Sequence, residues 1–239
     1  RKTMQNDEIL ESNKSNYEAM YAAKRNFLQY PAHWVIGFYN AYLKKNLPVG
    51  KVLDYGYGIG NNSVYLVEKG YDVYGVEVAG SSLGLLKQNL QDRNLPNQIE
   101  EKFLTVSPDN VALPFADNFF DFILSNQVLY FLPTEEHIKK VCSELKRVLK
   151  PGGLVFFTMM GSKNYFVAQN TKNINGKIHE VEFGAEHRLA GLKQIIYVID
   201  HEAELKELFS DFSCLKVGYF DIDITDGSNF HWIFIGQKK

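Results

Sequence analysis

The stretch Val52–Gly60, Val-Leu-Asp-Tyr-Gly-Tyr-Gly-Ile-Gly, constrains the fold more than any other part of the chain. A short apolar run ends in Asp54, and Gly56, Gly58 and Gly60 follow at every second position. Lys51 precedes the run and turn residues close it, so it reads as a buried strand. Without Cβ atoms the three glycines let the backbone turn tightly and lie against a ligand. Asn61–Lys69 reads as a helix. A strand, a glycine loop and a helix N-terminus together are expected to point free N–H groups at a bound molecule.

The dinucleotide fingerprint spaces its glycines G-x-G-x-x-G. With Gly56 and Gly58 as the first two, the third position falls on Asn61. The order present, Asp54-x-Gly56-x-Gly58-x-Gly60, resembles the nucleotide-binding loop of class I S-adenosylmethionine-dependent methyltransferases. Tyr55 and Tyr57 are bulkier than the residues usual between those glycines and are expected to narrow the pocket floor. The competing reading of the stretch is a strand-to-helix turn with no ligand.

Two further acids bear on the site. Tyr71–Glu77 reads as the second strand, with Glu77 at its carboxyl end, about twenty residues beyond the start of the loop, where open α/β sheets bind ligands. A carboxylate there can accept both hydroxyl protons of a ribose, and Val78 follows it at the same place; the alternative is a solvated acid. In the methyltransferase family an acid four residues before a Leu-Pro-Phe turn binds the adenine amine. Asp109, before Leu113-Pro114-Phe115, holds that position, and the backbone N–H of Asn110 suits the ring acceptor. The plainer reading of Asp109 is the start of a loop turn.

Phe119–Ser125 is a strongly apolar central strand. Asn126–Phe131 follows at its carboxyl end, so the resemblance sets these residues beside the reacting sulfonium, with Asn126 at the cofactor and Tyr130 as a catalytic candidate. The Asn-Pro-Pro-Tyr type of signature seen in nucleic-acid amino-methyltransferases is absent. The formal net charge is −2, which gives no electrostatic drive toward nucleic acid. Both observations favour a small acceptor.

The remaining segments organise around this core. Tyr17, Met20, Tyr21 and Lys24 share a helical face, so residues 1–30 read as a helical lid across the domain. Tyr30-Pro31 breaks that helix. A second helix runs over about 32–45, and Tyr30 and Trp34 either close over a ligand or serve as core aromatics. Ser81-Ser82 can cap a helix reaching about Asp92, and Ile99–Val106 is a weaker strand. Thr134 caps a helix whose first turn is acidic and whose last turn is basic. Leu154–Met160 is the next strand. Residues 161–199 change to a polar rhythm with an Asn175-Gly176 hairpin signal and read as a cap that shapes substrate choice. Asp200 can cap a following helix, and Phe212–Ile222 and Phe230–Ile235 are the last strands. Cys142 and Cys214 sit in apolar patterns and read as two buried free thiols. No apolar run has the length to span a bilayer, no secretory signal is visible at the start, and a cytoplasmic protein without a metal is the simplest reading.

The resemblance implies a Rossmann-like, seven-stranded, mostly parallel α/β sheet with helices on both faces, an antiparallel terminal hairpin and a cap insertion after the fifth strand. It divides the chain into a lid (1–30), a core binding S-adenosyl-L-methionine (31–160), a cap (161–199) and closing elements (200–239). The implied cofactor site is Tyr30, Asp54 and the three glycines, with Glu77, Val78, Asp109, Asn110 and Asn126. S-adenosyl-L-homocysteine is the implied product, and a small molecule the implied acceptor. Methyl transfer from a sulfonium is mainly a matter of positioning, and only high-pKa oxygen nucleophiles need a base. Tyr130, His179, His187 and His201 are the base candidates; His187 has Glu186 and Arg188 beside it to tune it, and Tyr130 and His187 stand as the catalytic choices. The opening before the core and the cap after Met160 also resemble methyltransferases of bacterial surface-polysaccharide clusters, which implies a sugar hydroxyl or another O or N nucleophile as acceptor. Two rival functions are a non-catalytic S-adenosylmethionine-binding module or partner subunit, and an NAD-dependent oxidoreductase.

Overall fold

The structure is a computed structural model that describes residues 6–23, 30–96, 101–183, 190–191, 193–224 and 227–239, with the backbone alone at 169–170. Helix α1 (Asn6–Ala22) comes first, followed by α2 (His33–Phe38), a π-helical turn over Tyr39–Leu43 and the short α3 (Lys44–Asn46). The core then alternates: β1 (Lys51–Tyr55), α4 (Asn61–Glu68), β2 (Asp72–Glu77), α5 (Ser82–Asp92), β3 (Phe103–Thr105) and β4 (Phe120–Ser125). A 3₁₀ turn over Leu129–Phe131 leads to α6 (Glu135–Val148) and β5 (Leu149–Met160). Beyond β5 come α7 (Tyr165–Asn170), β6 (Thr171–Asn175), β7 (Ile178–Glu182) and β8 (Lys193–Tyr197). The chain closes with α8 (Glu202–Leu208), β9 (Ser213–Phe220) and β10 (His231–Gln237).

The main sheet has seven strands in the order β3-β2-β1-β4-β5-β10-β9. Strands β1 to β5 pair in parallel, and β10 inserts antiparallel between β5 and β9. Strand order runs one way from β1 to β3 and the other way from β4, so a crevice opens between the carboxyl ends of β1 and β4. This is the mostly parallel architecture with an antiparallel terminal hairpin that the methyltransferase resemblance implies.

Burial on both faces explains why β4 is apolar throughout: Phe122, Ile123 and Leu124 are all fully enclosed. Alternate side chains feed two cores. Leu53, Ile123 and Phe157 lie in one, and Val52, Phe122, Leu124 and Phe156 in the other. Helix α6 forms as its sequence dictates, with the Thr134 hydroxyl accepting from His137 N at 3.1 Å and a buried stripe of Ile138, Val141, Leu145 and Val148. The segment after β5 builds its own three-stranded antiparallel sheet, β6-β7-β8, turning at Gly176 with φ 57°.

Several sequence expectations are corrected. The helix over 32–45 exists but carries the π-helical turn. Strand β3 is shorter than the expected 99–106, of which 99 and 100 lie outside the described residues. Strand β5 starts at Leu149 rather than Leu154, because Gly152 and Gly153 continue the ladder against Lys238. Asp200 does not cap α8: its carboxylate holds Lys177 Nζ at 2.6 Å, and His201 takes the cap position. Cys142 is buried, but Cys214 is exposed on β9, the edge strand, where alternate residues face solvent.

Gly60 and Gly70 both adopt left-handed backbone, at φ 84° and 88°. A Cβ on Gly60 would stand 2.1 Å from Leu86 Cδ1, whereas one on Gly70 would meet nothing within 4 Å. Gly70→Ala therefore carries only the backbone penalty, about 1–2 kcal/mol. Gly60→Ala adds overpacking and is expected to cost about 2–5 kcal/mol. Urea unfolding of both variants checks this, and equal losses would mean that the Leu86 contact does not fix the residue.

Candidate functional site

The glycine loop leaves β1 with Gly56, Gly58 and Gly60 at φ 77°, 56° and 84°. Each is also closely approached. A Cβ on Gly56 would lie 2.4 Å from Val128 Cγ2, and one on Gly58 would lie 2.9 Å from the Tyr21 hydroxyl. The expected row of free N–H groups is largely absent. Gly56 N and Tyr57 N donate to Val76 O at 2.8 and 3.3 Å, Gly60 N to Tyr57 O at 2.8 Å, and Gly58 N to Glu77 Oε2 at 3.0 Å. The loop offers a bare backbone surface rather than a set of donors.

Glu77 ties this loop to the end of β2. Its Oε1 accepts from Val78 N at 2.7 Å and Ala79 N at 3.2 Å, while Oε2 takes Gly58 N. The residue is 8% exposed. Burial pushes its carboxyl up from the ordinary value, and the three backbone donors pull it back down. A carboxylate offers about four acceptor positions, and the three amides leave one on Oε2.

Asp54 sits behind the loop, 1% exposed, and is not among the residues lining the cavity. It accepts Ser63 Oγ at 2.6 Å. Burial raises its pKa to about 7; the Ser63 hydroxyl opposes that shift and the charge of Glu77 adds to it. The acid that looks like a ligand contact in the sequence is thus a support under the turn into α4.

Helix α1 walls the cavity from above, with Tyr17, Met20 and Tyr21 on its inner side. Its position is fixed by polar contacts at two levels. Asn13 is buried, donating from Nδ2 to Phe131 O and Ile195 O, both at 2.9 Å, and accepting Ile195 N at 3.0 Å. Glu18 accepts Ser81 N at 3.1 Å. Burial lifts the Tyr17 and Tyr21 phenols well above their usual range, so both stay protonated.

The cavity enclosed by the loop, α1, the β4–α6 connection and the second sheet measures about 1150 Å³. Gly56, Gly58, Glu77, Val78, Asn110, Asn126 and Tyr130 line it, as do Tyr55 and Tyr57. Asn126 Oδ1 accepts the Trp34 indole N–H at 2.7 Å. Tyr30, Gly60 and Asp109 do not line it. Tyr30 is 74% exposed, its ring beneath the Arg93 guanidinium at 5.9 Å. Trp34 stacks on Phe220 with centroids 3.5 Å apart, in keeping with the core-aromatic alternative rather than a lid. Asp109 is exposed because its carboxylate folds back onto the Ser107 hydroxyl, which holds its pKa below the usual carboxylate value. Gly60 serves the turn.

Of the base candidates, His187 lies outside the described residues. His179 sits on β7 between Thr171 and Asn173, and His201 is exposed before α8; neither lines the cavity. Tyr130 does, and burial pushes its phenol far up, so it stays protonated at ordinary pH. The sequence reading set Gln127 within the stretch beside the sulfonium but missed His231. Both line the cavity, with Gln127 Nε2 3.4 Å from His231 Nε2. Pairing the last strand with the fifth, register included, would have revealed His231, which lies opposite Met160. Among the described residues, no cluster of three His, Cys, Asp or Glu suits a metal ion, and no helix is long and apolar enough to cross a membrane.

Comparison with known proteins bears on this arrangement. Residues 53–157 match the sequence profile of a family described as a methyltransferase domain. The chain is 26% identical to phosphoethanolamine N-methyltransferase 2 of Caenorhabditis elegans, over 80% of this chain and 48% of that protein. It is 35% identical to demethylmenaquinone methyltransferase of Renibacterium salmoninarum, over 45% of this chain and 40% of that protein. The chain thus spans about half, or less, of the length of these relatives. Among solved structures, 1,6-didemethyltoxoflavin-N1-methyltransferase of Burkholderia thailandensis, determined with 1,6-didemethyltoxoflavin and S-adenosylhomocysteine, aligns with a TM-score of 0.69. That alignment covers 100% of this chain and 92% of that one at 16% identity, a likeness of fold.

The buried Asp54 carboxyl makes stability depend on pH. Its folded-state pKa of about 7 exceeds the unfolded value near 4, so the native state binds the extra proton. Its stabilising contribution is complete below about pH 4 and is lost as pH rises to about 7, a fall of roughly 3–5 kcal/mol. Asp54→Asn, which keeps an acceptor for Ser63, is expected to flatten that fall. Denaturant melts from pH 4 to 8 check it; an unchanged slope in the variant would contradict the assignment.

Proposed function

We propose that this chain, whose residues 53–157 carry a methyltransferase domain, transfers the methyl group of S-adenosyl-L-methionine to a small-molecule acceptor. The observation that carries the reading is the Glu77 carboxylate held by three backbone N–H groups beside Gly58, on the floor of a cavity at the switch point of the sheet. The residues present suit the donor. Its nucleoside lies against the backbone of Gly56 and Gly58, where Val128 and Tyr21 approach too closely for a Cβ. The fourth acceptor position of Glu77 receives a ribose hydroxyl. Val106, Val111 and Leu113 form an apolar slot for the adenine, with Asn110 at its edge.

The donor, when bound, supplies a methyl group already activated on a positively charged sulfur. The chain's own task is to orient and enclose. Burial raises the pKa of both Asp54 and Glu77, with the charge of Glu77 adding to the rise at Asp54 and that of Glu18 to the rise at Glu77, so a cationic ligand placed near them is favoured. Asn13 and Glu18 hold α1 over the cavity and exclude water. At about 1150 Å³ the cavity exceeds the usual range for a single small ligand, which leaves space for an acceptor beside the donor. Glu77 is the only carboxylate among the described residues lining it.

Calorimetric titration with S-adenosylhomocysteine tests this reading, with micromolar affinity expected as an order of magnitude. Glu77→Gln is expected to weaken binding by about 1–3 kcal/mol, because an amide cannot accept from all three N–H groups and a hydroxyl. Asp109→Ala is expected to leave affinity within about twofold. Absence of heat with the wild-type protein would remove the reading, and an unaffected Glu77→Gln variant would remove the ribose assignment.

A further inference from the structure

We propose that His231 accepts the proton of a hydroxyl acceptor, and that the chamber around it takes a flat, uncharged, phenol-like molecule. The proposal rests on the donor reading above and adds the residue and the substrate class.

His231 opens β10 opposite Met160 of β5 and Phe220 of β9, so its ring stands at the carboxyl edge of the sheet, where the cavity lies. Its tautomer follows from its neighbours. Nδ1 lies 3.1 Å from the Asn229 carbonyl, a group that only accepts, so Nδ1 carries the hydrogen. In the neutral ring Nε2 then presents its lone pair. The contact it has is the Gln127 amide at 3.4 Å, a long bond that a hydroxyl can displace. The ring is 1% exposed, so bulk water does not compete.

The surroundings hold the ring in place. His231 stacks on Phe220 at 4.8 Å and 15°, and Phe220 stacks on Trp34 at 3.5 Å and 5°. The Trp34 indole is itself anchored by Asn126. Gln127 adopts φ 59°, unusual for a residue with a side chain, and its N–H donates to the buried Thr158 hydroxyl at 2.6 Å. A strained backbone fixed in this way marks a side chain whose direction matters.

The chamber walls set the class of acceptor. Tyr130, Tyr165, Phe166, Phe183 and Ile222 supply aromatic and aliphatic surface. Among the described lining residues the only carboxylate is Glu77, at the glycine loop, and the only lysine is Lys14, on α1. Among the described lining residues no other Asp, Glu, Lys or Arg is present, so these walls suit a planar, uncharged ring.

The acceptor oxygen forms the new O–CH₃ bond as the S–CH₃ bond breaks and its electron pair stays on sulfur. The O–H proton moves to His231 Nε2, so the positive charge passes from sulfur to the imidazole. Burial holds the His231 pKa down at about 4, and the lone pair is free at ordinary pH. Among the described residues, Asp221, whose charge opposes that shift, and the protonated Tyr130 phenol are the ionisable groups that act on or pack against it. Loss of the nearby cation at transfer makes the protonated ring easier to form.

Wild-type protein labelled with ¹⁵N-histidine tests the proposal with 1-naphthol and naphthalene as probes. The Nε2 resonance is expected to be that of an unprotonated ring nitrogen from pH 6 to 8. It should shift on adding 1-naphthol to protein loaded with S-adenosylhomocysteine, and stay unmoved with naphthalene. In His231→Gln, S-adenosylhomocysteine affinity is expected to hold within twofold, while kcat for O-methylation of 1-naphthol falls about 100-fold with KM little changed. Failure of 1-naphthol to bind, binding that leaves the Nε2 resonance unmoved, or wild-type kcat in the variant would overturn the proposal. Absent S-adenosylhomocysteine binding would instead overturn the donor reading, and the 1-naphthol shift in unloaded protein would still decide the role of His231.

Discussion

The hydrogen bond from Gly58 N to Glu77 Oε2 is the contact on which the site depends. Together with the bonds from Gly56 N and Tyr57 N to Val76 O, it joins the end of β2 to the loop leaving β1. Because Glu77 also accepts from Val78 and Ala79, one carboxylate sets the shape of both connections. The cost is a buried charge next to a second buried acid, Asp54. Three amides and the Ser63 hydroxyl offset part of that cost. An apolar residue at position 77 would leave these three amides without their acceptor, and the acceptor position that the carboxylate keeps on Oε2 favours a ligand role.

The cavity is assembled from parts far apart in the chain. The glycine loop and Glu77 form one end, the Asn126–Phe131 connection the middle, and β10 the far end, with α1 above. Asn13 ties α1 to the middle connection and to β8 of the second sheet by bonding the backbone of Phe131 and Ile195 at once. Motion of α1 would break those bonds together and open the cavity as a unit. The second sheet, β6-β7-β8, stands beyond β5, where an insertion can vary without disturbing the parallel core.

Much of the core was legible in the sequence, because apolar runs with period-two alternation and helix caps are local signals. Val52–Gly60, the Thr134 cap and the Asn175-Gly176 turn each carry their own physical cause within a few residues. Site residues that depend on long-range placement were less legible. Asp54 and Asp109 have the right type and spacing for ligand contacts, yet Asp54 folds under the loop onto Ser63 and Asp109 folds outward onto Ser107. Neither hydrogen bond is visible without the turn geometry. His231 was missed for a related reason: nothing near it in sequence marks it, and only the register of β10 against β5 brings it to the cavity. Cys214 shows the same limit, since an apolar pattern does not tell an edge strand from a central one.

The measurement that bears most directly on this account is a crystal structure with S-adenosylhomocysteine soaked or grown in. The account predicts a ribose hydroxyl within hydrogen-bonding distance of Glu77 Oε2, the adenine among Val106, Val111 and Leu113, and the thioether sulfur between Asn126 and His231. A nucleoside bound elsewhere, or one in the cavity that leaves Glu77 with its backbone partners alone, would contradict it.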